Sequence, residues 1–99
     1  MAQFDVHRLA GGSTLIVDCQ TDLLSHIESR FVVPLVAVAD APPPAWRLNP
    51  VLPIGGADYV MLTQAAAAVR RHDLGPAIAN LAQHSIAVTG ALDVLITGV

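Results

Sequence analysis

One stretch of the chain alternates between apolar and polar residues with the period of a β-strand. Residues 15–23 show this alternation most regularly, and Val17 and Cys19 fall on the apolar face. We predict a half-buried strand in which Cys19 is a small buried side chain, because no basic residue flanks it to activate the thiol. The carboxylates Asp18 and Asp22 fall on the opposite face, which we expect to be solvated.

The final segment, residues 81–99, has the period of a helix instead. One face carries apolar residues at spacings of three and four, widened by Ala91 and Ile96: Val88, Leu92, Leu95 and Val99. The opposite face carries Thr89, Asp93 and Thr97. A helix that begins near Ser85 as N-cap and ends at Gly98 explains both faces. Gly90 and the β-branched residues beside it disfavour a helix, so two short strands hinged at Gly90 fit the pattern too.

Shorter apolar runs predict further strands joined by glycine turns. A first short strand includes residues 4–6 and ends at a glycine-containing turn. Residues 50–54 and 57–63 predict two strands of a hairpin, because Gly55 and Gly56 between them suit a two-residue turn.

Proline and alanine make three other segments harder to assign. Residues 31–39 favour a strand that lies at a sheet edge or is bulged at Pro34, since proline cannot donate to a ladder. Residues 65–72 favour a helix on propensity, but the stretch is short for one. Pro76 is expected to open a short helical turn that runs to Asn80.

Residues 41–46 contain three consecutive prolines and predict a stiff, extended surface loop that Trp46 packs down. The functional alternative for this stretch is a ligand for a proline-binding domain. About five short strands, glycine turns and one terminal helix predict a mainly β fold, a small barrel capped by a helix. The 99 residues are expected to form a single domain.

The composition is unusually apolar for a small domain. Apolar residues make up 54% of the chain and charged residues 13%, so surplus apolar surface needs a partner. A homodimer interface provides one, since obligate interfaces resemble a divided core. No uncharged apolar run is long enough to span a membrane. The N-terminus has no signal-peptide pattern, and Cys19 is the only cysteine, so we expect a cytoplasmic protein.

Charge and motif content exclude several classes of function. The net charge is −3 and all five basic residues are arginines, of which only Arg70 and Arg71 are adjacent, so direct nucleic-acid binding is not expected. The four histidines have no metal-ligand spacing, and nucleotide-binding loops and nucleophile motifs are lacking. The residues therefore favour a binding protein without metal or cofactor over an enzyme.

Several short blocks, in a specific order, resemble the CcdB family over nearly the whole chain. They are LIVDCQTDLL at 15–24, VVPL at 32–35, NPVLPIG at 49–55, MLT at 61–63 and GV at 98–99. The resemblance implies an SH3-like antiparallel barrel with a C-terminal helix, a homodimer, and the toxin of a type II toxin–antitoxin pair. It also implies that the final segment is helical and that residues 65–72 are strand and loop.

The resemblance further implies the partners. A toxin of this family binds the A subunit of DNA gyrase and traps the enzyme on cleaved DNA, without catalytic activity of its own. The positions that match its gyrase-binding residues are Leu23, Leu24, Asp93, Ile96, Thr97, Gly98 and Val99. The positions that match the contact with a CcdA-like antitoxin are Arg8, Asp18 and Cys19. A two-fold dimer would present two such tails to a two-fold target.

The sequence departs from the best-known member at the tail. Thr97 stands where that member has a tryptophan, which would stack on an arginine of the partner with about 0.5–2 kcal/mol per site. Asp93 replaces an amide by a carboxylate. The loop at residues 8–14 is shorter and contains Gly11 and Gly12 in place of charged residues, so specificity for the antitoxin is expected to differ.

Other functions remain open at this stage. The main alternative to a gyrase poison is a protein that keeps the fold and the antitoxin but has a lost or changed target. An endoribonuclease toxin on a related barrel is another, although an acidic chain with dispersed arginines supplies few RNA contacts. A structural interaction module is the last.

Overall fold

A computed structural model describes all 99 residues as seven strands followed by one α-helix. The strands are β1 (Asp5–Leu9), β2 (Leu15–Asp18), β3 (Ser29–Ala37), β4 (Val51–Ile54), β5 (Ala57–Met61), β6 (Ala67–Arg70) and β7 (Leu74–Asn80). The helix α1 comprises Ser85–Thr97. Short 3₁₀ turns join several of these elements, including Asp22–Leu24 after β2.

All strand pairs are antiparallel and form one curled half-barrel sheet. The strands lie in the order β4-β5-β3-β2-β1-β7, and β6 pairs with the N-terminal half of β3. The predicted mainly β fold with a C-terminal helix is thereby confirmed, with more strands than the sequence pattern indicated. The α-helix is too short to cross a membrane, and no other helix could do so.

The core lies between one face of the sheet and the N-terminal half of α1. Val6, Val17 and Val33 come from three neighbouring strands and are fully buried. Val88 and Ala91 of the helix pack into the same cluster. Burial of these aliphatic side chains, at roughly 25 cal/mol per Å², supplies the main favourable term for the fold.

The opposite face of β2 is also buried, which contradicts the prediction of a solvated face. Asp18 and Arg30 have side chains with no exposure, and Arg30 Nε donates to Asp18 Oδ2 at 2.9 Å. Arg30 Nη2 lies 2.8 Å from the same oxygen without hydrogen-bond geometry, and Nη1 has no partner. A charged residue on a strand favours solvent exposure by its own polarity, but the pairing of β2 with β3 gives Asp18 a buried counter-charge. Asp22, by contrast, is exposed.

Two predictions about proline were wrong. Pro34 lies in β3 at the centre of the sheet, opposite Ile16 and without a bulge. Its carbonyl accepts from Leu62 N–H. On that side Pro34 lies between the residues of β3 that pair with β6 and those that pair with β5, so neither ladder includes its missing donor. Pro76 lies within β7 and opens no helical turn. The register between β1 and β7 shifts around Pro76, so the strand accommodates a residue without an N–H donor.

The hairpin at Gly55 and Gly56 is confirmed, and both glycines have positive φ, as the primed turns require. Residues 65–72 contain β6 flanked by 3₁₀ turns, as the resemblance implied. Pairing with β3 therefore overrides the helix propensity of the alanines.

The helix α1 confirms the helical alternative for the final segment, and two strands hinged at Gly90 are excluded. Ser85 is its first residue and provides no side-chain cap, whereas Gly98 ends the helix in the left-handed conformation with φ 81°. The apolar stripe is buried at Val88 and Ala91 and only partly buried at Leu92. Leu95 is exposed, so the last turns of the helix project beyond the core.

Candidate functional site

The last turns of α1 and the two residues after them form an exposed surface, here called the tail surface. It consists of residues Asp93, Ile96, Thr97, Gly98 and Val99, all of which are exposed. Ile96 and Val99 are 76% and 75% exposed, although both side chains are apolar. The structure thus leaves these apolar side chains available to another molecule.

Thr97 is directed towards its own helix. Its hydroxyl donates to the Asp93 carbonyl at 2.8 Å. The Thr97 hydroxyl oxygen in turn accepts from Val99 N–H at 3.4 Å. The hydroxyl therefore stabilises the helix end and the turn at Gly98. Within the tail surface, Ile96 and Val99 remain as the large apolar side chains for a partner.

A turn at residues 45–49, here called the Trp46 turn, lies next to the tail surface. Arg47 Nη2 donates to the Val99 carbonyl at 3.4 Å. The Arg47 guanidinium lies 5.6 Å from the centroid of the Trp46 ring, within reach of a cation–π interaction. Trp46 is 88% exposed, so the prediction that it packs the loop down is wrong. The proline-rich loop is instead held by the last residue of the turn.

That residue is Asn49, which is buried. Asn49 Oδ1 accepts from Ala45 N–H, and Asn49 N–H donates to the Ala45 carbonyl, both at 3.0 Å. The Asn49 amide donates to the Met61 carbonyl at 3.0 Å and to Gln64 Oε1 at 2.8 Å. All the hydrogen-bonding atoms of this side chain are thus engaged, and the base of the Trp46 turn is fixed to the end of β5.

A groove of about 290 Å³ separates the Trp46 turn from α1. Its lining residues are Arg47, Pro50, Ile86, Ala87, Gly90 and Ala91. An added Cβ at Gly90 would meet no atom within 4 Å, so the missing side chain helps to keep this groove open. The sequence pattern does not indicate this groove, because the groove forms between segments about forty positions apart in the chain.

Leu23 and Leu24 lie in the 3₁₀ turn after β2 and belong to a different part of the surface. Leu23 is 86% exposed. Gln20 links this turn to β3, since its amide donates to the Leu24 carbonyl and its oxygen accepts from Phe31 N–H, both at 3.0 Å. Phe31 and Ile27 nearby are also exposed apolar residues. No hydrogen bond or ion pair joins this turn to the tail surface within one chain.

A third site is a cavity of about 350 Å³ at the rim of the core face, here called the Arg8 cavity. Arg8 is exposed and lines it together with polar groups from other segments: Ser13, Thr14, Asp40 and Tyr59. Leu15 and Leu35, which pair on β2 and β3, form the apolar side. No residue of α1 lines this cavity, so the helix leaves that end of the core face accessible. Asp40 and Tyr59 carried no signal in the sequence.

The structure separates the residues expected at the antitoxin contact. Asp18 is fully buried in its ion pair with Arg30, and Cys19 is 8% exposed. Burial, with a smaller effect from the Asp18 charge, raises the pKa of the Cys19 thiol to about 12. Cys19 is therefore the buried apolar side chain that the alternation predicted. Of the three residues, only Arg8 has an exposed side chain.

The arrangement offers surfaces for binding. No three histidine, cysteine, aspartate or glutamate residues come together as a metal-binding group. No curated protein matches the chain. The family model described as "CcdB protein" matches residues 3–98, nearly the whole chain. That family consists of toxins of toxin–antitoxin pairs, which act as poisons and are not catalytic enzymes. On this match and on the half-barrel fold with its terminal helix, the chain belongs to the CcdB family.

Proposed function

We propose that this protein is the toxin of a type II toxin–antitoxin module, and that it binds the A subunit of DNA gyrase and traps the gyrase–DNA cleavage complex. The observation that carries the proposal is the family match over residues 3–98, together with a helix end that projects its apolar residues into solvent. The toxin itself would break no bond; the DNA break would be made by gyrase.

The tail surface is the proposed main contact with gyrase. Ile96 and Val99 would lose water-exposed apolar area on binding, and Asp93 and Thr97 would lie beside them. Gly98 sets the direction of the last residue through its left-handed backbone. Leu23 and Leu24 form a second apolar contact, which a homodimer would combine with the tails of two chains.

The Arg8 cavity is the proposed contact with a CcdA-like antitoxin. It joins a free cationic side chain to an apolar floor, which suits an acidic and apolar peptide that folds on binding. Asp18 and Cys19 do not line this cavity; Asp18 is at the other end of β2 from Leu15, and Cys19 follows it. Because their side chains are buried, they would support the strand, and exposed neighbours would make the direct contact.

The gyrase proposal is tested by DNA cleavage. Purified protein is titrated into gyrase with supercoiled plasmid and ATP, and linear DNA is measured after the enzyme is denatured. We expect dose-dependent linear DNA, which is lost when Gly98 and Val99 are deleted. The matched control is Thr89→Ala, on an exposed position of the same helix outside the tail surface, which is expected to leave cleavage unchanged.

One observation favours the second candidate, a CcdB-family protein with an antitoxin but a changed target. The tail surface contains no aromatic side chain, and the hydroxyl of Thr97 is bonded within the helix. If folded protein produced no linear DNA at any concentration yet bound its antitoxin, this candidate would replace the gyrase poison.

The antitoxin contact is tested by charge reversal. Arg8→Glu is expected to weaken antitoxin binding by about tenfold or more, because it removes the cation and repels acidic residues of the peptide. Gln83→Glu is the control, since it adds a negative charge at an exposed residue that lines neither cavity nor groove. Equal binding by both variants would place the antitoxin elsewhere.

A further inference from the structure

We propose that Trp46 and Arg47 extend the gyrase-binding surface, and that Trp46 supplies the aromatic contact that the tail itself lacks. The inference rests on the proposed function, since it assigns further residues to the same partner. It starts from the only tryptophan of the chain, which is 88% exposed, whereas the other aromatic side chains are at most 38% exposed. Tryptophan and arginine are the residue types that most often dominate binding at protein interfaces.

The Trp46 turn is held in place before any partner binds. The prolines at 42–44 restrict the chain that enters it, and Asn49 fixes its base through four hydrogen bonds to Ala45, Met61 and Gln64. Thr63 also donates to the Leu48 carbonyl. An exposed side chain on such a fixed turn loses little conformational freedom on binding, so more of its contact energy appears as affinity.

The backbone at the tip of the turn supports a role outside the monomer. Arg47 has φ 66°, a left-handed conformation that is unfavourable for a residue with a side chain. This conformation places the Trp46 ring in solvent and the Arg47 guanidinium against the tail. Within the chain the arrangement buries almost none of the indole, so its benefit is expected from a contact with another molecule.

The partner of Trp46 is inferred from the continuity of the Trp46 turn with the tail surface. Arg47 contacts Val99 directly, and the same residue lines the groove beside Ile86 on α1. Trp46, Val99 and Ile86 are 88%, 75% and 87% exposed, so the apolar surface continues from the tail across the turn to the first part of the helix. A gyrase subunit that covers Val99 would therefore lie within reach of Trp46.

The chemistry of the contact follows from the two side chains. Apart from the Val99 oxygen, no side-chain carboxylate of the chain lies within salt-bridge distance of Arg47. The guanidinium lies over one face of the indole, which leaves the other face free. The proposed gyrase surface offers a planar guanidinium or an apolar group to the free face, and a carboxylate to Arg47. Arg8 and its cavity lie on residues of other strands and take no part in this contact.

The test uses the fact that Trp46 is the only tryptophan. The full chain is labelled with fluorotryptophan, which gives one fluorine NMR signal, and is titrated with the unlabelled dimerisation domain of gyrase A. We expect this signal to shift on binding, and Trp46→Ala to weaken the affinity by about tenfold or more. Trp46→Phe is expected to recover part of the loss, and Arg47→Glu to weaken binding in a salt-dependent manner.

The matched control is Ile78→Ala, an exposed apolar residue on β7 at the far edge of the sheet, which is expected to bind like the wild type. If gyrase A binds and binding is lost on deletion of Gly98 and Val99, but the fluorine signal stays unchanged and Trp46→Ala binds normally, the inference is overturned while the proposed function stands. If the wild type fails to bind gyrase A, both are overturned. A signal that shifts with toxin concentration alone, or only with antitoxin, assigns Trp46 to those contacts and overturns the inference.

Discussion

Gly90 and Gly98 both belong to the end of the chain, but an added methyl group has opposite consequences at the two positions. Gly90 is within α1 and a Cβ there meets no atom within 4 Å. Gly90→Ala is expected to stabilise the protein by about 1 kcal/mol, the difference in helix propensity. Gly98→Ala is expected to destabilise it by about 1 kcal/mol, because φ is +81° at Gly98. Urea unfolding of both variants measures the change in the free energy of unfolding. Changes of the same sign in the two variants would contradict the described helix end.

Cys19 gives the protein a defined response to alkaline pH. Its pKa is raised to about 12 in the folded state, whereas an unfolded thiol titrates near about 8.5. The contribution of the buried thiol to the free energy of unfolding is therefore complete below pH ~8.5. It is lost as the pH rises towards ~12, because only the unfolded chain releases the thiol proton in that pH range. Between pH ~8.5 and ~10 the loss is about 2 kcal/mol.

The measurement compares urea unfolding of the wild type and Cys19→Ala at both pH values. The variant is less stable overall because it leaves a small cavity, but its decline with pH should be smaller by the amount given above. An identical decline in the two proteins would show that the thiol is not responsible.

At the scale of single residues, the sequence predicted what depends on local pattern. The burial of Cys19 followed from alternation, and the cap at Gly98 from its place after the helical period. The exposure of Trp46 and the burial of Asp18 were missed for one physical reason. The Trp46 turn is fixed by the hydrogen bond of Asn49 to Met61, and Asp18 is buried by its contact with Arg30. The polarity of a residue does not show which distant residue it will contact.

The link between β2 and β3 depends on the buried pair of Asp18 and Arg30. Removal of one partner leaves an uncompensated buried charge, so Asp18→Val or Arg30→Met alone is expected to cost about 3–5 kcal/mol. The double variant Asp18→Val with Arg30→Met should recover most of this loss, because neither charge then remains. Asp73→Asn, in an exposed pair with Arg70, should change stability by less than about 1 kcal/mol.

Urea unfolding with a double-mutant cycle measures the coupling between Asp18 and Arg30. Single variants as stable as the wild type would mean that the pair contributes nothing to the fold. A double variant no better than the singles would mean that the cost arises from packing and not from unpaired charge.

At the scale of elements, the sequence located the hairpin and the helix and misread segments with conflicting signals. The hairpin at Gly55 and Gly56 rests on turn chemistry that acts locally. In β7, Pro76 indicated a helix start, yet Gly75 lets the strand approach β1 closely, since a Cβ there would lie 2.9 Å from the Arg8 carbonyl oxygen. Such close approaches of two backbones are decided by the sheet as a whole.

We propose that two molecules of a homodimer meet at a free edge of the sheet. Three strands, β4, β6 and β7, have an unpaired edge. Pro53 lies in β4 and Pro76 in β7, and proline opposes the addition of another strand. The edge of β6 contains no proline and carries the small exposed residues Ala67 and Ala68, which permit close approach of a second chain.

Apolar side chains flank this edge as well. Phe31 on β3 is partly exposed and lies directly opposite Ala68 on β6. Ile27 lies in the loop that precedes β3. Gln20 holds the turn of Leu23 and Leu24 against the same strand. A two-fold axis beside β6 would thus bring the two copies of this turn together and cover Phe31. Such an interface would bury part of the surplus apolar surface that the composition indicates.

Phe31→Glu is therefore expected to convert a dimeric protein into a folded monomer, because it places two like charges against the axis. Sedimentation equilibrium at micromolar concentration measures the mass, and urea unfolding checks that the monomer remains folded. Ile78→Glu introduces the same charge on the proline-containing edge of β7 and should leave the dimer intact. A dimer that persisted in Phe31→Glu and dissociated in Ile78→Glu would move the interface to β7. A wild type that sedimented as a monomer would exclude a gyrase contact that needs two tails on one two-fold axis.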